Sequence, residues 1–386
     1  MRSSSLAAVA LLIGACTSGE MVEVASGFDI LARARPALAN DGTVVAARSA
    51  ELLVGDGVVS STIDLSGASL TIAAVSGRKR MQVRDEGDLV FQASRPGMPM
   101  GCPLFLGVYT TTSFGGPIAT THETCPSDSP GPALGAGIAM STNGTVAFAD
   151  IRNGQGAIYR QPVGAAPQVL RSGTGEFFNF GGLDVNDAGQ VPIQMEYFDG
   201  FAGGLMRGVL VFETVEQEKL DTNTAVEKLN IGTQPAVAIN DLGTVALASN
   251  TTMSFPIGGT VYSFEPGVYT ATPTLFNTPK MLTEVATLSG DYCRVGAVDI
   301  NDAGTVVFEA QLDSGFSCGG TSFDGIFDGA DPATDGVVEF ADDRLGPHQF
   351  FDSVFLGEIN DSGQISFATT YSEPLVEPVK IWRYDP

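Results

Sequence analysis

The stretch Ile300-Asn301-Asp302-Ala303-Gly304-Thr305-Val306-Val307-Phe308 decides the fold. Asn301 can cap a turn with its side chain, and Asp302 and Ala303 suit the centre of a type I turn. Gly304 then supplies the left-handed residue of a bulged hairpin, a conformation that costs any residue with a Cβ more. After the turn, Val306, Phe308 and Ala310 alternate onto one face, the period of a half-buried strand. Before it, Gly296-Ala297-Val298-Asp299-Ile300 is a short strand of small and aliphatic residues.

The hairpin recurs along the chain. Ile239-Asn240-Asp241-Leu242-Gly243-Thr244-Val245, Ile359-Asn360-Asp361-Ser362-Gly363-Gln364-Ile365 and Val185-Asn186-Asp187-Ala188-Gly189-Gln190-Val191 follow the same plan. Weaker copies are Met140-Ser141-Thr142-Asn143-Gly144-Thr145-Val146 and Val83-Arg84-Asp85-Glu86-Gly87-Asp88-Leu89. The first, Ala39-Asn40-Asp41-Gly42-Thr43-Val44, shifts Asn-Asp by one, which leaves room for a different turn. The anchor glycines Gly42, Gly87, Gly144, Gly189, Gly243, Gly304 and Gly363 are spaced by 45, 57, 45, 54, 61 and 59 residues. The clearer units carry two further strands, such as Gly325-Ile326-Phe327-Asp328 and Gly336-Val337-Val338-Glu339-Phe340 in the sixth.

Four short strands repeated seven times at this period predict an all-β, seven-bladed β-propeller of four-stranded antiparallel blades. A single such sheet cannot cover both of its faces, but its neighbours can. Val379-Lys380-Ile381-Trp382-Arg383-Tyr384 is a third strand with no fourth after it, so an N-terminal strand, read as Phe28 to Ala32, is expected to close the ring. An open β-solenoid would want a more constant period. These tandem units resemble the bacterial extracellular proteins with NxxGxxxxAF-type repeats and are similar to the HAF extracellular repeat family. That resemblance implies a secreted or surface propeller and carries no catalytic residue. Trp382 is the only tryptophan, which argues against the WD40 and kelch types.

The N-terminus reads as a targeting segment. Leu6 to Ala15 is an apolar run of ten residues, too short for a membrane span. It ends Ile13-Gly14-Ala15-Cys16, which resembles a bacterial lipoprotein signal with Cys16 as the lipidated residue. The expected organisation is a signal peptide over 1–15, a tether over 16–27 and one propeller domain over 28–386. By analogy with lipoprotein sorting, Thr17 after the Cys favours the outer membrane or cell surface; an ordinary secretory signal is the alternative. Cys102, Cys125, Cys293 and Cys318 remain, an even count that suggests disulfides in an exported chain. Cys102–Cys125 and Cys293–Cys318 are the favoured pairs, since each lies within about one repeat; free core thiols are the other possibility.

Composition bounds the function. Asp and Glu number 44 against 20 Lys and Arg, a net charge of -24 that disfavours nucleic acid and other anionic partners. No zinc motif is present. His122 and His348 are the only histidines, and each reads more simply as a loop residue than as an acid-base catalyst. Asp328, Asp331 and Asp335 come nearest to a calcium cluster, but the run lacks the EF-hand's alternating acids and terminal Glu and reads as a turn between strands three and four. The Asp of each Asn-Asp-x-Gly reads as a solvated turn residue. No cofactor is expected apart from that calcium option. The longest insertions are placed at about Ser94 to Pro132 and Gln311 to Phe323, on the face opposite the Asn-Asp turns. The leading reading is a lipid-anchored, monomeric envelope propeller that binds a protein or glycan at that face. The alternatives are a glycan-active enzyme with carboxylates at the channel mouth, or a purely structural envelope protein.

Overall fold

The computed structural model describes residues 19–57, 59–72, 79, 81–96, 104–124, 137–152, 155–174, 177–199, 204–212, 216–222, 237–257, 260–272, 282–288, 291–312, 323–339, 345, 352–371 and 378–386. The chain is a seven-bladed β-propeller of antiparallel blades. From the axis outward, the first blade is Ala37–Leu38, Val44–Ala47, Glu51–Gly55 and Val59–Asp64. The sixth is Tyr292–Ile300, Val306–Leu312, Gly325–Phe327 and Gly336–Glu339. Seven hydrophobic clusters hold the disc together, one at each junction between neighbouring blades. Between the sixth and seventh blades, for example, Val307, Ile326 and Val338 pack with Leu356, Phe367 and Trp382. This is the mutual covering that alternating strands require.

All seven anchor glycines have positive φ, from 76° at Gly189 to 88° at Gly42. At each, the glycine N–H donates to the carbonyl three residues back, as Gly304 does to Asn301 at 3.0 Å. The residue three before the glycine in turn donates to the carbonyl just after it, as Asn301 does to Thr305 at 3.2 Å. The first copy makes the same turn despite its shifted Asn-Asp, with Gly42 donating to Ala39 at 3.1 Å. The cap expected from Asn is present too: Asn240, Asn301 and Asn360 Oδ1 accept the N–H of Thr244, Thr305 and Gln364 at 2.8, 2.9 and 2.9 Å.

The N-terminal strand closes the ring, but with other residues than expected. Glu20–Gly27 pairs antiparallel with Val379–Asp385 and completes the seventh blade. The second half of the expected tether is therefore sheet. Phe28 to Ala32 instead forms a turn, a single bridge from Ile30 to Arg48 and the start of a short 3-10 helix. Met21 to Ala25 carries a weak strand signal, because Glu20 and Glu23 dilute its apolar character. Lys380 Nζ donates to Glu23 Oε2 at 3.0 Å across the closure.

Two further expectations are corrected. Ser94 to Pro132 is no insertion, because it holds the end of Leu89–Pro96 and the outer strands Leu104–Thr111 and Ala119–Thr124 of the second blade. Among the described residues the inserted element is a hairpin, Met253–Ile257 with Thr260–Phe264, between the second and third strands of the fifth blade. It adds to the fourth blade's edge through a parallel bridge from Thr222 to Ser254, making that sheet six-stranded. Most of Gln311 to Phe323 lies outside the described residues, as do Cys16, Cys102, Cys125, Cys318 and His348. Cys293 is disulfide-bonded.

A buried ion pair ties the first blade to the sixth and seventh. Arg35, just before the innermost strand, donates to Glu309 Oε1 at 2.6 Å and to the Leu356 carbonyl at 2.5 Å. Glu309 also accepts the N–H of Ala297 and of Leu356, at 3.1 and 2.6 Å. Arg35 has φ 57° and ψ 125°, a strained backbone that persists only where the surroundings over-determine it.

Two outcomes test this account. Nothing stands within 4 Å of a Cβ built on Gly304, so Gly304→Ala isolates backbone strain. It should lower stability by about 1–2 kcal/mol, and Gly304→Asn by less, because Asn tolerates the left-handed region. Equal losses for the two in denaturant titration would reject the strain account. Glu309→Gln leaves the Arg35 charge buried without its counter-ion and should cost about 3–5 kcal/mol; an unchanged denaturation midpoint would show that the pair does not close the ring.

Candidate functional site at the channel mouth

The Asn-Asp turns gather on one face around the axis, where a cavity of about 170 Å³ receives residues from every blade. The side chains of this mouth form two tiers. At the rim, the Asp of one turn donates its backbone N–H to the carboxylate of the next turn's Asp. Asp187 donates to Asp241 at 2.7 Å, Asp241 to Asp302 at 2.7 Å and Asp302 to Asp361 at 3.0 Å. Asp361 continues to Asn40 Oδ1, and Asp41 to Asp85, both at 3.0 Å. In the shifted copies Asn40 stands in for the carboxylate, and Asn143 donates in place of Thr142, to Asp187 at 2.6 Å.

The repeated Asn adds a second strand to this relay. Asn186, Asn240 and Asn301 Nδ2 donate to the carbonyls of Asn240, Asn301 and Asn360 at 3.2, 3.0 and 3.1 Å. Asn360 Nδ2 donates to Ala39 at 3.1 Å and so carries this second strand from the fourth blade round to the first. The repeated Asp is therefore a latch between blades and not merely a solvated turn residue. The signal was present in the copies, since a turn that needs only Gly would not also repeat Asn-Asp.

The deeper tier comes from the position two before each turn's first residue. There the fourth, sixth and seventh blades carry Asp184, Asp299 and Glu358, and the second carries Gln82. Each accepts an N–H from the exposed edge of the following blade's innermost strand. Asp184 Oδ2 accepts from Ile239 at 3.0 Å, Asp299 Oδ2 from Ile359 at 2.8 Å and Glu358 Oε2 from Leu38 at 2.8 Å; Gln82 Oε1 accepts from Met140. Lys79 of the second blade reaches across the channel, with Nζ 3.2 Å from Asp299 and 3.5 Å from Glu358. Sequence reading missed this set because each acid sits singly inside an otherwise aliphatic strand.

The electrostatics follow from burial. Desolvation pushes the Asp184 carboxyl up to about 7, against the pull of Lys79 and two backbone N–H donors, and Asp299 pushes it further. Desolvation also raises Glu358. Lys79 is held above the ordinary lysine value despite its burial, because Asp299, Glu358 and Asp184 surround it. At the rim, Asp241 is raised by desolvation and by its neighbours Asp187 and Asp302.

The other candidates lie elsewhere. His122 Nε2 is 2.9 Å from Asp150 Oδ2 and packs on Phe148 and Tyr159, between the second and third blades and away from the mouth. Asp328, Asp331 and Asp335 occupy the turn between the sixth blade's outer strands. Asp331 and Asp335 carboxylates accept the turn's own N–H groups, from Ala333 at 2.9 Å and Asp331 at 3.0 Å. Among the described residues no three acidic, His or Cys side chains converge as a metal site. No helix among them is long and apolar enough to cross a membrane.

No family model matches the chain, and no curated protein does. Solved structures do. A prolyl endopeptidase from an analysis of inter-domain dynamics aligns with 96% of this chain and 48% of its own, at TM-score 0.51 and 11% identity. The β-propeller domain of the Trilobed protease from Pyrococcus furiosus covers 77% of this chain and 78% of its own, at TM-score 0.45 and 11% identity. An inactive virginiamycin B lyase from Staphylococcus aureus covers 96% and 100%, at TM-score 0.44 and 12% identity. At these identities the likeness is one of fold.

The buried carboxyl of Asp184 sets a pH dependence. In the folded chain it keeps its proton up to about 7, whereas an ordinary Asp releases it near 3.8. The folded state binds more protons across that window, so this contribution to stability is full below about pH 4 and is lost as pH rises through 7. The melting temperature of the wild type should therefore fall from pH 4 to 7.5 more steeply than that of Asp184→Asn. Parallel profiles would remove Asp184 as the group that holds the proton.

Proposed function

We propose that the chain is a lipid-anchored binding and structural module of the bacterial cell envelope, at the outer membrane or cell surface, and not an enzyme. One observation carries this: the carboxylates that converge at the mouth are occupied. Asp184 accepts two backbone N–H groups, and Asp299 and Glu358 each accept one beside Lys79. Groups held this way spend lone pairs on the scaffold and fix the ring's geometry.

The partner, a protein or a glycan, meets the opposite face. The connections between second and third strands lie there, the fifth blade's extra hairpin among them. The protein acts as a monomer, with Cys293 paired to Cys318, Cys102 to Cys125, and calcium as an optional occupant of the Asp328–Asp335 turn. Lipid at Cys16 would hold the disc by its seventh blade, because only three residues separate that Cys from the closing strand.

The alternative of a glycan-active enzyme draws support from Asp184. A carboxyl protonated near neutral pH beside a second carboxylate is the pairing that glycoside hydrolysis uses.

Incubating the mature protein with glycan arrays and envelope extracts, with and without calcium, separates the readings. Binding without turnover is expected; release of reducing ends that Glu358→Gln abolishes would establish the enzyme instead. For the anchor, Cys16→Ser should move the protein from the membrane to the soluble fraction. Retention in the membrane fraction would refute lipidation at that residue.

A further inference from the structure

We infer that the junction between the second and third blades, on the face of the Asn-Asp turns, carries a second binding site, for a neutral saccharide ring; this rests on the binding-module reading above and adds to the partner face named there. Three independent features single this junction out. First, the turn relay is broken there. Arg84 stands where other copies carry Asn, and Thr142 where they carry Asp, so among the described residues no hydrogen bond joins these two turns. The other six junctions each carry a turn-to-turn bond from a backbone N–H to a side-chain oxygen. Second, the described hydrophobic core is smallest there. Val90, Val108, Ile138, Val146 and Phe148 are its five buried members, while the other clusters have ten or more.

Third, a cleft of about 200 Å³ opens at this seam. That is room for about six waters at ~30 Å³ each, and less than an oligomeric ligand would need. Its polar lining includes Arg84, Asp88, Thr110, Thr121 and Gln161. Arg84 Nη1 donates to Asp88 at 3.0 Å, so the one cation and one anion of the lining offset each other. A free anion would meet Asp88, and a free cation Arg84; a neutral ligand meets neither cost.

Two groups of the lining still lack partners. Gln161 Nε2 donates to the Ala165 carbonyl at 2.9 Å, which fixes the amide and leaves Oε1 buried without a donor. Arg84 Nε is likewise buried without an acceptor. Each unmet group carries a desolvation cost that a hydroxyl able both to donate and to accept can relieve by a small shift at the seam. Thr121 is the bulged residue of its strand, a place where backbone irregularity re-aims a side chain. Leu89, Met140, Val146 and Pro162 supply an apolar side, and Val163 stands 65% exposed at its edge. Hydroxyl acceptors and donors beside an aliphatic ledge match a pyranose, whose ring has a hydroxylated edge and a C–H face.

The test is a ligand-observed NMR titration of the mature chain with glucose, galactose, mannose and N-acetylglucosamine, alongside a uronic acid and a protonated hexosamine. A neutral sugar should bind, with the charged ones at least fivefold weaker. Thr121→Val and Gln161→Leu should each weaken it at least fivefold, while Thr121→Ser retains it. Sugar binding that survives both Thr121→Val and Gln161→Leu would overturn the seam and leave the binding-module reading standing. Failure of every monosaccharide to bind would also overturn the seam, while the array and extract binding would still decide the module reading on its own.

Discussion

The innermost strand of each propeller blade has one edge with no strand beside it, and its amides point toward the axis. Buried backbone donors must find acceptors, and this chain supplies them from the neighbouring blade. Glu358 answers Leu38, Asp299 answers Ile359 and Asp184 answers Ile239. Carboxylates suit this task because, when ionised, they only accept. The same logic is repeated at the turns, where Asp accepts the next main-chain N–H and Asn bridges to the next carbonyl. Much of the acidity at the centre of the disc is thus a hydrogen-bonding requirement of its inner edges.

Those carboxylates are in turn restrained electrostatically. Lys79 enters from the far side of the channel and meets acids of two blades that are not its neighbours. Asp184, without a direct contact to that cation, responds to burial by holding its proton. The mouth resembles a catalytic constellation in composition while its geometry commits the oxygens to the scaffold. The distinction rests on where the lone pairs go, and composition alone could not have drawn it.

The blade count, the hairpin and the closure by an N-terminal strand were all legible in the sequence, because a left-handed glycine and a strand of period two both leave local marks. The identity of the closing strand was not. Glu20–Gly27 is half exposed at the outer rim, so its pattern is weak, and Phe28 looked the better anchor although it is 63% exposed. The channel acids were equally hidden, since Asp299 and Glu358 gain meaning only from partners 60 and 320 residues away. The hairpin after Ser249 escaped notice because its strands pair with the preceding blade. The copies at Arg84 and Thr142 are the weaker ones in sequence, and among the described residues theirs is the junction without a turn-to-turn bond.

The pairing of Glu20–Gly27 with Val379–Asp385 imposes an order on assembly. Glu20–Gly27 must wait for Val379–Asp385, so the seventh sheet cannot be completed until both have been made. Until the C-terminus arrives, the first blade's inner face and the N-terminal strand's edge stand open to other strands. A chain of this design gains from a chaperone that shields those edges, and losing Lys380 to Pro386 would convert a closed ring into one with two adhesive ends.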